Sequence, residues 1–197
     1  TPPSDIMPAL VKKAMMSLGL KISDFDGIIV ATGPGNFTSL RVGISFGIGL
    51  SKSLSIPIYG VSSLQSIIFS HKTVSANNEH FLVAIKARGK DYFFQLFDEK
   101  SKPLVDAIKM TILAAKEEFA GYNLFFLGDG SLDAAASFGQ KENILSYSNN
   151  IDFLKVFENI NEDISRYKTM FGLCIWPILL RRKKTHNGLQ KRKNKYI

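Results

Sequence analysis

ATGPGNFTSLRVGISFGIGLSKSL, residues 31–54, holds five glycines between Gly33 and Gly49. Two sit in a Gly33-Pro34-Gly35 turn. The others fall inside a segment that otherwise reads as helix, where each glycine costs about 1 kcal/mol relative to alanine. So much bare backbone serves either a bound phosphate or a closely packed neighbour. The run before it, GIIVA (27–31), is short, apolar and β-branched, and reads as a buried strand. After it, IPIYGV (56–61) reads as a second strand and SSLQSIIFSHK (62–72) as a helix capped by Ser62 or Ser63. Strand, helix, strand and helix in succession argue for an α/β sheet with parallel strands.

The phosphate option can be tested on spacing. The dinucleotide fingerprint G-x-G-x-x-G needs a third glycine where Thr38 stands, and G-x-x-x-x-G-K-[ST] fails at Thr38 and Ser39. A strand, a glycine turn and a helix N-terminus still offer free N–H groups to an anion, with Gly33, Gly35, Thr38 and Arg41 as weak candidate contacts. The plainer reading is a tight turn that lays the helix on the sheet, with Thr38 or Ser39 as its cap.

The neighbour option has a clearer pattern. Ser39, Gly43, Gly47 and Ser51 recur every four residues, a ridge of small side chains on one helix face. Such a ridge admits another backbone closely. Leu40, Val42, Ile44, Phe46, Ile48 and Leu50 make the rest of the helix apolar almost all round, so it needs cover on both faces. The sheet supplies one cover. The other is an amphipathic helix over 5–18, which ends at Gly19 and has Pro8 in or near its first turn, or else a partner chain.

Past a polar break at 73–80, FLVAIKA (81–87) and DYFFQLFD (91–98) form a hairpin about RGK, and 104–110 reads as a further strand. Helices are predicted over 111–119, 132–139 and 151–171, and a buried strand over 123–131 ends in a glycine turn. Residues 1–75 are read as one lobe, 76–182 as a second, and 183–197 as a basic disordered tail. The net charge of +8 is carried by that end of the chain. Residues 181–197 hold eight Lys/Arg and no acid, while the other 17 Lys/Arg balance the 17 Asp/Glu. A basic tail binds nucleic acid through phosphates, but no aromatic residues interleave with these charges as stacking needs.

Catalytic patterns are sparse. His71, His80 and His186 have no metal-seating spacing. Asp129, in GDG, reads as a local cap sooner than a catalytic acid. Cys174 beside Trp176 reads as a core thiol, and one cysteine excludes an internal disulfide. No apolar run reaches the ~18 residues of a membrane span. The chain shows no signal-peptide layout and is expected in the cytoplasm. Lacking an initiator Met, it reads as a fragment or processed product.

The stretch 31–67 resembles the signature of the bacterial TsaB (YeaZ) family, G-P-G-S-F-T-G-L-R-[IV]-G followed by a glycine-rich helix, a proline and G-V-S-[ST]-L-E-A. Gly33, Pro34, Gly35, Phe37, Thr38, Leu40, Arg41 and Gly43 match, as do Pro57, Gly60, Val61, Ser62, Ser63 and Leu64. Asn36 replaces a Ser and Ser39 a Gly. FLVAIKARGKDYFFQLFD is similar to the family's V-A-I-D-A-R-x-G-E-V-Y hairpin, with Lys86 in place of an Asp, and WPILLR (176–181) faintly resembles its closing P-x-Y-L-R. The likeness is strong over 6–98 and faint beyond.

The resemblance implies a two-lobed, ribonuclease-H-like or actin-like fold of the ASKHA superfamily. It implies a non-catalytic subunit that partners a TsaD-like enzyme and a TsaE-like ATPase. Together these install threonylcarbamoyl on the adenosine beside the anticodon of certain tRNAs. On that view tRNA is met indirectly, this chain binds no cofactor, and ATP and metal belong to the partner subunits. Family dimers use the first two helices, so the resemblance places a partner, or a second copy when the chain is alone, on Leu10, Ala14, Ser39, Gly43, Gly47 and Ser51. Family members begin with a strand hairpin, so the first lobe here is expected to lack its first strands. Two other classes stay open at this point: an ASKHA-type ATPase or phosphotransferase using Gly33–Thr38 or Gly128–Ser131, and an RNA-binding module carried by the tail.

Overall fold

The structure, a computed structural model, describes residues 3–71, 79–147 and 150–162. Helix α1 (Pro3–Leu18) leads through a 3-10 turn into strand β1 (Ile28–Ala31), helix α2 (Phe37–Leu54), β2 (Ile58–Val61) and α3 (Ser63–Ser70). There follow β3 (His80–Lys86), β4 (Asp91–Phe97), β5 (Ile108–Thr111), α4 (Ile112–Glu118), β6 (Leu124–Leu127), α5 (Ser131–Phe138) and α6 (Phe153–Glu162). β1 and β2 pair in parallel, from Ile28 opposite Ile58 to Ala31 opposite Val61. With α2 between them they form the expected crossover unit. Among the described residues this first sheet has two strands.

The second sheet runs β5-β4-β3-β6, with the β3–β4 hairpin antiparallel and β6 parallel to β3. β3 explains its own burial. Phe81, Val83 and Ile85 point to one face, and Leu82 and Ala84 to the other, as the two-residue period requires. The first face shares a core with Tyr59 and Val61 of β2, Leu64, Ile67 and Ile68 of α3, and Val156 and Ile160 of α6. The second face is covered by Ala115 and Phe119 at α4 and Ala134 and Ala135 of α5. A continuously apolar strand is thus buried on both sides.

Several local expectations change. α1 starts at Pro3, so Pro8 lies inside the helix. The cap of α2 is Asn36, whose side chain accepts from the Ser39 N–H, and neither Thr38 nor Ser39 fills that role. Ser62 caps α3 by accepting from the Gln65 N–H. The strand expected over 104–110 begins only at Ile108. α3, read from sequence as part of the first lobe, packs in one core with β3 of the second sheet. Its end is tied to α6, because the Asp152 N–H donates to Ser70 Oγ (2.9 Å) and Lys155 Nζ to the Ser70 carbonyl (3.2 Å). The helix expected over 151–171 is described only as far as Glu162, and the basic tail lies outside the described residues. No described helix is long and apolar enough to cross a membrane.

Candidate functional site

The glycine turn is held by its own neighbours. The Thr32 N–H donates to the Val61 carbonyl (2.9 Å), and the Ser63 N–H to the Gly33 carbonyl (2.8 Å). Gly33 takes φ +98°, where a side chain is strained, and an added Cβ would lie 3.0 Å from Leu40 Cδ1. Asn36 Oδ1 accepts from both N and Oγ of Ser39 (3.0 and 3.2 Å). Arg41 lies over the Phe37 ring, 4.9 Å from its centroid, a cation–π contact on an exposed surface. Of the four phosphate candidates, Gly33 is buried while Gly35, Thr38 and Arg41 are exposed.

On its other side the turn borders a groove of about 960 Å3, to which Pro34, Gly35, Ile29, Ala31 and Tyr59 contribute. Two carboxylates, Asp24 and Asp26, line it, and among the described residues no lysine or arginine does. That donor set does not fit the phosphates of a nucleotide. Among the described residues no group of three or more His, Cys, Asp or Glu side chains is placed to hold a metal.

The small-residue ridge divides between two tasks. Gly47 is buried and faces the sheet, where an added Cβ would meet Val30 Cγ1 at 2.6 Å and Ile58 Cδ1 at 3.1 Å. Ser51 donates through Oγ to the Ile56 carbonyl (2.6 Å) and so closes the turn into β2. Gly43 faces α1, with Met7 Cε 3.9 Å from where its Cβ would be. Ser39 is exposed. Helical spacing puts all four on one stripe, but the stripe runs obliquely across the contact between α2 and its neighbours.

One exposed apolar surface lies on α1. Ile6, Leu10, Ala14 and Leu18, spaced every four residues, are all exposed, Leu10 by 59% and Leu18 by 70%. Met7 and Val11, on the adjoining flank of α1, line a cleft of about 460 Å3 shared with β1 and α2. Phe37, at the start of α2, is 69% exposed. Leu10 and Ala14, which the family resemblance gives to a partner, are both exposed. Met7 and Val11 are the residues turned towards α2 and β1.

A polar cluster stands at the ends of β3 and β6. Lys86 Nζ pairs with Asp133 Oδ2 (2.9 Å), Tyr92 OH donates to the same oxygen (2.8 Å), and the Lys86 N–H donates to Asp129 Oδ1 (2.8 Å). Asp129 therefore cross-links its loop to the end of β3. The Lys86 hydrogen bond, then that of Tyr92, holds the Asp133 carboxyl below its usual range, and the same contact raises Lys86. Partial burial, then the Asp133 hydrogen bond, pushes Tyr92 up. A depressed carboxylate contributes stability that is present above its ordinary value and lost as pH falls through its folded value. Raised lysine and tyrosine groups contribute stability that is lost as pH rises through theirs. Asp133→Asn is expected to lower the urea midpoint slightly at neutral pH, with the gap to wild type closing in acid below pH 3.8. A gap that persists unchanged at pH 2 to 3 would show that the ion pair is not its source.

With this geometry the comparisons can be read. The family model described as TsaD, tRNA N6-adenosine threonylcarbamoyltransferase, matches residues 4–154. The chain is 35% identical over 83 residues to the tRNA threonylcarbamoyladenosine biosynthesis protein TsaB of Buchnera aphidicola (subsp. Schizaphis graminum), covering 42% of this chain and 39% of that one. It is 37% identical over 98 residues to the tRNA N6-adenosine threonylcarbamoyltransferase of Anaplasma phagocytophilum, covering 48% and 28%. The chain thus spans well under half the length of these relatives. Among solved structures it matches YeaZ from Pseudomonas aeruginosa with a TM-score of 0.62 at 19% identity, covering 79% of this chain and 75% of that one. A second match, titled as an uncharacterized protein with similarity to peptidase YEAZ from Pseudomonas aeruginosa, has a TM-score of 0.56 at 20% identity and covers 72% and 66%. These structures show that the chain has the α/β fold of YeaZ. The chain belongs to the family described as TsaD, tRNA N6-adenosine threonylcarbamoyltransferase.

Proposed function

We propose that this chain is a non-catalytic subunit of the machinery that installs threonylcarbamoyl on adenosine next to the anticodon of tRNA. It acts by heterodimerising with a TsaD-like catalytic subunit. The observation that carries the reading is the α1 stripe, in which Ile6, Leu10, Ala14 and Leu18 are exposed on one face at a four-residue spacing. Apolar side chains aligned on a helix face and left to water are what an obligate partner covers. The same face admits a second copy when the chain is alone, since an isologous contact needs one self-complementary patch.

The names of the relatives support the pathway, and the groove supports the division of labour. Two aspartates beside the glycine turn, with no lysine or arginine among the described residues that line the groove, argue against the ATPase or phosphotransferase reading. On this account ATP and metal are held by the TsaE-like and TsaD-like partners, tRNA is contacted through the complex, and the work is done in the cytoplasm. The tail retains a weak, salt-sensitive affinity for RNA that assembly does not use.

Gly47 is unsuitable as an interface probe because it packs on the sheet. Leu10, 59% exposed, is suitable. Leu10→Asp is expected to leave the unfolding midpoint unchanged and to weaken binding to the TsaD-like subunit at least tenfold, about 1.4 kcal/mol, in a calorimetric titration. Unchanged affinity would remove α1 from the interface.

A further inference from the structure

The groove beside the glycine turn has a polar end that its own neighbours leave unsatisfied. Tyr59, which lines it, is only 9% exposed. The ring lies across Gly27, with Cε2 3.1 Å from where a Gly27 Cβ would stand, so its hydroxyl end sits beside the Asp26–Gly27 backbone. Among the described residues that hydroxyl makes no hydrogen bond, and it is not sealed in the core, so it opens on the groove. A phenol buried this far ordinarily keeps a partner.

The two carboxylates at this end differ. Asp24 is engaged, since its Oδ2 accepts the Lys21 N–H at 2.8 Å. Asp26 makes neither a hydrogen bond nor an ion pair among the described residues. It therefore offers a full negative charge, and Tyr59 beside it offers an oxygen that both donates and accepts. The rest of the groove is apolar, with Ile29 and Ala31 on the sheet side and an aromatic wall of Phe153 and Phe157 on α6. A volume of about 960 Å3 suits a small-molecule site, where ~300–1,000 Å3 of apolar surface carries a few polar groups that fix orientation.

Those polar groups select the ligand. A free carboxylate, with no lysine or arginine among the described groove residues, repels anions and attracts a cation. The Tyr59 oxygen accepts a second N–H from the same head group. Aromatic faces favour an ammonium and pack on a hydrocarbon body. A neutral apolar ligand would leave both Asp26 and Tyr59 without a partner. We propose that the groove is a binding site for an apolar primary amine, with its ammonium held between the Asp26 carboxylate and the Tyr59 hydroxyl and its hydrocarbon body against Ile29 and Phe157. This inference rests on the groove alone and stands or falls separately from the tRNA-modification reading.

Octylamine, octanol and octanoate share one hydrocarbon body and differ in head group. In calorimetric titrations of the full chain, octylammonium is expected to bind about fivefold more tightly than octanol, with octanoate weaker than both. Asp26→Asn, at an exposed position, should bring octylammonium down to the level of octanol and leave octanol unchanged. Tyr59→Phe should also weaken octylammonium selectively, and because the hydroxyl has no partner in the fold the unfolding midpoint should stay where it is. Phe157→Ser should weaken all three ligands alike, and added salt octylammonium alone among the two that bind best. Equal affinity for the three head groups would overturn the proposal, because the groove would then be an apolar surface without a head-group site. So would octylammonium binding that ignores Asp26→Asn, or no binding of octylammonium at all.

Discussion

Gly128→Ala is expected to destabilise the protein by on the order of 3–6 kcal/mol, a large share of a typical domain stability of ~5–15 kcal/mol. Three costs fall on one methyl group. Gly128 has φ +93°, a region that costs a side chain ~1–3 kcal/mol. The new Cβ would run into the Ala84 carbonyl oxygen, with the carbonyl carbon 3.2 Å away, and Ala84 is fully buried in the middle of β3. That oxygen also accepts the Gly130 N–H at 3.0 Å, so moving it strands a buried acceptor at a cost of ~1–3 kcal/mol. Thermal unfolding should show a loss of roughly 6–24 °C, since ~1 kcal/mol shifts a chain of this size by about 2–4 °C. Gly89→Ala separates the terms. Gly89 has φ +73° and nothing within 4 Å of a built Cβ, so it carries strain without collision. Equal shifts for the two variants would mean that the loop does not lie on β3.

The second large effect is Gly47→Leu, expected to cost on the order of 3 kcal/mol or more. At the closest approach of α2 to the sheet, even a Cβ would sit 2.6 Å from Val30 Cγ1, and leucine adds three further carbons. Val30 cannot turn aside easily, because a β-branched side chain has few χ1 alternatives. The helix must therefore lift from β1 and β2. Replacing glycine within a helix returns only about 1 kcal/mol of propensity, too little to offset the collision. Gly49→Ala, two residues on, meets nothing within 4 Å and should gain ~0.5–1 kcal/mol. Opposite signs for the two substitutions in urea unfolding would establish the orientation of α2. A neutral Gly47→Leu would contradict it.

These pairs show what periodicity can and cannot convey. The β1–α2–β2 unit, the hairpin about residues 87–90 and the Ser62 cap were legible, because each rests on contacts within a few residues. The ridge Ser39–Gly43–Gly47–Ser51 was legible as a stripe. Its partners were not, since a four-residue repeat says which side chains share a face and is silent on what that face meets. Asn36 was missed as the cap because asparagine, serine and threonine all serve, and only backbone geometry chooses among them. The pairing of Lys86 with Asp133 joins positions 47 residues apart and left no local trace. Leu10 and Ala14 share the apolar flank of α1 with Met7 and Val11, and that the first two are exposed while the second two are half-buried became visible only in the fold. The family resemblance carried the functional reading further than any single motif, because both nucleotide-binding fingerprints fail in the very stretch that matches it.

The central claim is that this chain assists a modification it does not itself catalyse, and that it does so through α1. Reconstituted threonylcarbamoylation of tRNA with purified TsaD-like and TsaE-like partners, ATP and a supplied activated threonylcarbamoyl donor tests both halves at once. Modified adenosine is expected with the complete set, to be absent with this chain alone, and to fall at least tenfold when Leu10→Asp replaces the natural chain at limiting concentration. Modification by this chain without its partners, or full activity with Leu10→Asp, would contradict the account.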